Sequence, residues 1–128
     1  MKVLLDTHAL LWWLTGDERL SARALQVIQS ARNTIWVSPV SGWELATKFR
    51  LGKLPGAERI LPRLPALIEE SRLRVLPIAF THALKAGSLD HPHRDPFDRM
   101  LTAQAMVEEL VLVTSDPACV SLGAKTIW

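Results

Sequence analysis

KVLLDTHALLWWL, Lys2 to Leu14, carries two signals back to back. Lys2–Leu5 is a short apolar run, the pattern of a strand buried on both faces. Asp6 ends the run, and Thr7 to Leu14 then reads as a helical turn or two, closed by Gly16. The same pairing returns further along the chain. TIWV, Thr34 to Val37, is β-branched and aromatic, as strands prefer, and Ser38-Pro39 opens a helix running to about Leu51 and ended by Gly52.

The intervening segments complete the alternation. Ser21 caps a helix to about Arg32, with Ala24, Leu25 and Ile28 on one face. LPGAERILPRLPALIEESR contains three Leu-Pro pairs, so Pro62 and Pro65 permit only a broken or short helix ending near Ser71. RVLPI, Arg74 to Ile78, is a third strand, with Pro77 at its end or on a sheet edge. A short helix over Thr81–Ser88, the loop DHPHR, a helix over Asp95–Glu109 and a strand over Leu110–Ser115 follow. Pro117–Leu122 is a further turn or two, and Thr126–Trp128 a last short strand. This order predicts an α/β domain spanning residues 1–128, with a central parallel sheet of about four or five strands and helices on both faces.

With 128 residues, 48% of them apolar and 22% charged, the chain can bury a substantial core. No apolar run reaches the roughly 18 residues of a membrane span, and no small-residue cleavage pattern follows the apolar start, so a cytoplasmic protein is expected. The lone Cys119 excludes an internal disulfide or thiolate zinc site and reads as a small core residue. The net charge of +2 is a weak pointer to nucleic acid. Four acids neutralised by bound cations would set 15 basic residues against the 13 acidic ones less four, a balance better suited to RNA.

In an open parallel sheet, sites form beyond the carboxyl ends of the strands. Asp6 directly follows KVLL and Asp116 follows LVLVTS, although each also has an ordinary account as the N-cap of the next helix. Glu44, in SGWELATKF, lies about a turn and a half into the helix after the second strand; alone, it reads first as an exposed surface glutamate. In HRDPFDRML, Asp95 suits the N-cap and Pro96 the first helical position. Asp98 suits the first turn, where a carboxylate favours the helix dipole and can reach back to the cap. Spacing leaves open whether the DHPHR loop brings Asp98 over to the other acids. Four converging carboxylates would raise one another's pKa, and hard divalent cations with oxygen ligands relieve that repulsion. Such cations can also activate water against a phosphodiester. His91 and His93 read as solvated or structural.

VLLDTHALLWWL, WELATKFRLGKL, HRDPFDRMLTAQA and LVTSDPA, in this order over almost the whole chain, together resemble the PIN-domain ribonucleases. More narrowly, they resemble the VapC toxins of bacterial toxin–antitoxin pairs. The resemblance implies a PIN fold and an endoribonuclease dependent on Mg2+ (or Mn2+). Its acidic quartet falls on Asp6, Glu44, Asp98 and Asp116 as catalytic and metal-binding residues, with Asp98 matched through the helix opening DRMLTAQA. It also implies a VapB-like antitoxin partner and a toxin homodimer. Asp95 is read first as a cap, with water-mediated contact to metal or substrate as its second reading. Thr7 and Thr114 are candidates to hydrogen-bond the carboxylates or metal-bound water. Lys48, Arg94 and Arg99, with Arg50, Lys53 and His93 nearby, are candidates for holding RNA phosphates. Trp12 and Trp13 suit core or interface packing better than base stacking.

Two other aspartate-bearing α/β classes fit poorly. A phosphoacceptor receiver wants an acceptor aspartate after the third strand, where RVLPIAF has none. A haloacid-dehalogenase-type phosphatase wants aspartates two apart, where D-T-H has one. The remaining alternatives are a PIN-like RNA- or partner-binding module without cleavage, and a PIN nuclease acting outside a toxin pair.

Overall fold

The computed structural model describes all residues, Met1–Trp128. Its centre is β1 (Lys2–Leu5), which pairs in parallel with β2 (Thr34–Val37) on one side and with β4 (Val111–Val113) on the other. β3 (Arg74–Val75) extends the sheet beyond β2, and β5 (Thr126–Ile127) beyond β4, giving the order β3-β2-β1-β4-β5. All five strands are parallel, as the alternation of elements predicts. Successive side chains of the strands serve opposite faces. Val3, Leu5, Ile35, Val37 and Val113 pack on one side with Ala9, Leu10, Ala24 and Ile28, and Leu4 and Leu112 pack on the other with Leu101, Ala105 and Cys119.

The helices are α1 (Thr7–Thr15), α2 (Ala22–Gln29), α3 (Pro39–Arg50), α4 (Leu64–Glu70), α5 (Phe80–Ser88), α6 (Pro96–Val107) and α7 (Pro117–Leu122). Gly16 ends α1 in the left-handed region at φ 65°, its N–H closing on the carbonyls of Trp12 and Trp13. The proline-rich stretch forms two 3-10 turns, Ala57–Arg59 and Leu61–Arg63, before the short α4. Two expectations are corrected. Leu25 does not share the buried face of α2 with Ala24 and Ile28 but stays exposed. The third strand ends at Val75: Leu76 still donates to the Val37 carbonyl at 2.8 Å, and then Pro77 has no N–H to offer.

α5 and α6 form an antiparallel hairpin between β3 and β4. His82, in the first turn of α5, meets Glu108 just beyond α6, while Arg99 near the start of α6 meets Ala86 and Leu89 at the end of α5. Because α6 must deliver the chain to the beginning of β4, its own start lies at the carboxyl edge of the sheet. The hairpin is held at its far end by the buried His82. Its Nδ1 accepts the Ala79 N–H at 2.9 Å, which leaves the ring proton on Nε2, donated to Glu108 Oε1 at 2.7 Å. Ala79 has no side-chain acceptor of its own, so the histidine supplies the cap of α5. His82→Ala is expected to cost about 1–3 kcal/mol, from a lost cap and a void under the hairpin. Urea unfolding checks this, and a change below about 0.5 kcal/mol, within the range of an ordinary surface substitution, would contradict it.

Candidate active site

The strand order reverses between β2 and β4, on either side of β1, and ligands of open parallel sheets bind at such a switch point. Asp6 stands there. Its backbone N–H continues the ladder to the Val113 carbonyl at 3.1 Å, and its Oδ1 accepts the Ala9 N–H at 2.7 Å as the N-cap of α1. Asp116 stands after the neighbouring strand and caps α7, with Oδ1 accepting from Ala118 N at 2.9 Å. Thr114 stands between the two: its Oγ1 accepts the Asp116 N–H at 3.0 Å, and its hydroxyl is close enough to the Asp6 carboxylate to favour the ionised form. Thr7, the other threonine candidate, instead donates to Ser41 Oγ at 3.1 Å, a buried bond joining α1 to α3.

Glu44 is buried, only 3% exposed, which removes the surface-glutamate reading. Its Oε2 is ion-paired with Lys48 one turn further along α3. Beside it, exposed Trp43 packs edge-on against Phe97 with ring centroids 4.8 Å apart, tying α3 to the first turn of α6. That turn presents Asp98. Asp95 caps α6 as expected, its Oδ1 accepting from Phe97 N at 2.9 Å and Asp98 N at 3.3 Å. Asp98 does not complete a reciprocal cap; its Oδ2 meets His93 Nε2 at 2.9 Å.

Asp6 and Asp98 both feel neighbouring acids. Burial pushes the Asp98 carboxyl above its ordinary value; the His93 hydrogen bond pulls it back, and the charges of Asp95, Asp116 and Glu44 push it up again. Burial also raises Asp6, opposed by hydrogen bonds from Thr114 and Ala9 and by His8, and reinforced by the Glu44 charge. Underneath, burial raises the Cys119 thiol to about 12, with Asp98 adding to the rise, so this cysteine is an inert part of the core.

No three of the acidic, histidine or cysteine side chains are gathered tightly enough to enclose an ion. Each acid is drawn instead to its own protein partner, the arrangement expected of like charges. The donors nevertheless suit a hard divalent cation. They are all carboxylate oxygens, and Asp98 Oδ1 and Asp116 Oδ2 receive no hydrogen bond from the protein. An open arrangement of this kind suits Mg2+, which binds through one or two carboxylates and completes its shell with water and phosphate.

The basic candidates divide. Arg94, Arg50 and Lys53 are exposed, while Lys48 is held by Glu44. Arg99, expected to face phosphate, is turned inward: its guanidinium donates to four backbone carbonyls of α5 and the following loop. Trp12 and Trp13 pack against the core. Two residues of the site carried little weight in the sequence, His93 and Ser41. The available signals were spacing: His93 lies just ahead of the Asp95 cap, and Ser41 lies three residues before Glu44, on the same helix face.

Comparison with known proteins bears on the family and the fold. The family model of the PIN domain matches residues 3–123. Ribonuclease VapC22 of Mycobacterium tuberculosis is 33% identical over 117 residues, covering 89% of this chain and 86% of that protein. Ribonuclease VapC16 of the same organism is 36% identical over 69 residues, 51% of this chain and 48% of its own. Among solved structures, a chain of VapBC2 from Rickettsia felis, crystallised on a DNA fragment from its promoter, superposes with a TM-score of 0.70 at 17% identity, covering 99% of this chain and 98% of that one. A chain of VapBC-1 from nontypeable Haemophilus influenzae gives 0.68 at 19%, covering 99% and 97%. At these identities the structures speak to the fold.

The raised carboxyls set a pH dependence. Asp6 and Asp98 bind protons more readily folded than unfolded, so their ionisation weakens the fold as pH rises from the ordinary value of 3.8 through their raised values. Asp98→Asn removes one such charge. In the absence of divalent cations it is expected to raise Tm at pH 7, with the gain fading as pH falls toward 3.8. Calorimetry across that range checks it; an unchanged or lower Tm at pH 7 would mean that His93 fully offsets the burial.

Proposed function

This chain belongs to the PIN-domain family, and on that premise we propose that it is an endoribonuclease of the VapC kind, dependent on Mg2+ or Mn2+ and acting as the toxin of a toxin–antitoxin pair. The observation that supports the reading is the placing of Asp6, Asp98 and Asp116 along the carboxyl edge of the sheet, with the charge of buried Glu44 reaching both Asp6 and Asp98. Similarity to VapC22 over most of both chains supports the substrate class. The VapBC complexes among the similar structures support a VapB-like antitoxin as partner. A homodimer and a cytoplasmic location belong to the same reading; no helix is long and apolar enough to cross a membrane.

The proposed division of labour follows from what holds each acid. Asp6, Asp98 and Asp116 would be the principal cation ligands, with Glu44 beside them. A divalent cation bound there supplies a Lewis acid that activates water and offsets charge on the phosphate. Thr114 holds the backbone of Asp116 through its hydroxyl oxygen and favours the ionised form of Asp6. His93 orients Asp98 and leaves Oδ1 available. Lys48 pairs with buried Glu44 and brings a positive charge to the rim of the site, where exposed Arg94 is a further contact for phosphate. Asp95 builds the helix end that delivers Asp98.

Purified protein is expected to cut RNA in Mg2+ or Mn2+ and to stop in chelator. Asp98→Asn should lower the rate on the order of 100-fold or more, about 2.7 kcal/mol in the barrier. Asp95→Asn should stay within several-fold, because asparagine caps a helix as well as aspartate does. Equal losses in both folded variants would move Asp95 into the cation site. A folded wild type that binds RNA but cuts none of it in either metal would sink the nuclease assignment and leave a binding module.

A further inference from the structure

The loop between α5 and α6 winds around a single side chain. Arg99 Nε donates to the Ala86 carbonyl at 2.9 Å, Nη2 to Leu89 at 2.6 Å, and Nη1 to both His91 and His93 at 2.9 Å. Ala86 lies in the last turn of α5, where carbonyls lack helical partners and a cation is favoured. The other three carbonyls alternate along the loop. The loop closes on itself as well, His91 N donating to the Leu89 carbonyl and His93 N to His91 Nδ1. Its last fixed residue is His93, whose backbone is held by Arg99 and whose ring meets Asp98. Asp98 and Arg99 are neighbours on α6, so the contacts form a short closed circuit: helix, guanidinium, loop, imidazole, carboxylate.

We propose that Arg99 is a positioning residue for the acidic site: by gathering these four carbonyls it sets the loop that presents His93 to Asp98. The proposal rests on the reading of Asp98 as part of the catalytic centre. A planar fork with five N–H groups can serve four carbonyls at once; a lysine ammonium at the same place keeps the charge but has three donors on a point. The role therefore depends on the shape of arginine, beyond its charge.

Arg99→Lys, His93→Ala and the double variant test this on the full chain. Arg99→Lys is expected to lower kcat for RNA about 10- to 100-fold, as loss of an orienting partner does. RNA affinity and its salt dependence should not change, and the double variant should be no slower than His93→Ala alone. The nitrogen NMR signature of the His93 ring should shift from one fixed, hydrogen-bonded tautomer to a solvent-averaged form in Arg99→Lys. A phosphate-binding role would give the opposite pattern: an unchanged kcat in Arg99→Lys, which keeps the charge, and in Arg99→Gln a weaker RNA affinity with a salt slope smaller by about 0.7 for the lost contact. That pattern, additive losses in the double variant, or an unaltered His93 signature would each overturn the proposal. If the wild type cuts no RNA, the nuclease reading fails while the His93 signature still decides the role of Arg99. If Arg99→Lys does not fold, the wild type decides: separate, slowly exchanging guanidinium resonances support the clamp, and one averaged resonance refutes it.

Discussion

Repulsion among carboxylates at one edge of the sheet governs how this molecule is built. Acids whose charges reach one another cannot all remain ionised in a partly buried place unless each is held by a donor or an opposite charge. Here the partners differ in kind. Asp6 and Asp116 are held by the amides of the helices they start, Glu44 by the ammonium of Lys48, and Asp98 by the imidazole of His93. The acids are thereby kept apart and oriented, and one oxygen each on Asp98 and Asp116 remains free of protein hydrogen bonds. The sheet supplies the common edge, while helix starts and one loop supply the restraints.

Much of this arrangement was legible in local sequence. Asp6 and Asp116 follow apolar runs directly, and a strand followed by a helix puts its junction at the carboxyl edge whatever the rest of the chain does. Asp95 carried its role in its neighbours, since Pro96 marks the first helical position. The family resemblance supplied Asp98 and Glu44, whose placement spacing left open. The approach of α3 to α6 depends on Trp43 meeting Phe97, and the location of Asp98 on α5 and α6 folding into a hairpin. Both are long-range facts with no local signature.

The misreading of Arg99 has a similar cause. A basic residue beside an acidic site suggests an anion-binding role, and nothing in HRDPFDRM tells whether the side chain turns outward to solvent or inward to a loop. The loop's composition, two histidines, a proline and charged residues, suggested solvation. Its order comes from hydrogen bonds on its own backbone carbonyls, the part of a residue that its side-chain identity does not announce.

That backbone pattern has a consequence for how this segment could vary. Leu89, His91 and His93 face the guanidinium because they fall on alternate residues, so the loop is read by parity. Asp90 and Pro92 lie out of step with it, and their side-chain identities are correspondingly free. Adding or removing one residue between Leu89 and His93 would put the wrong carbonyls inward and carry the imidazole to the other side of the chain. Two residues would preserve the phase but lengthen the arc beyond one guanidinium's reach. The segment is therefore tolerant in composition and rigid in length, the reverse of the usual surface loop.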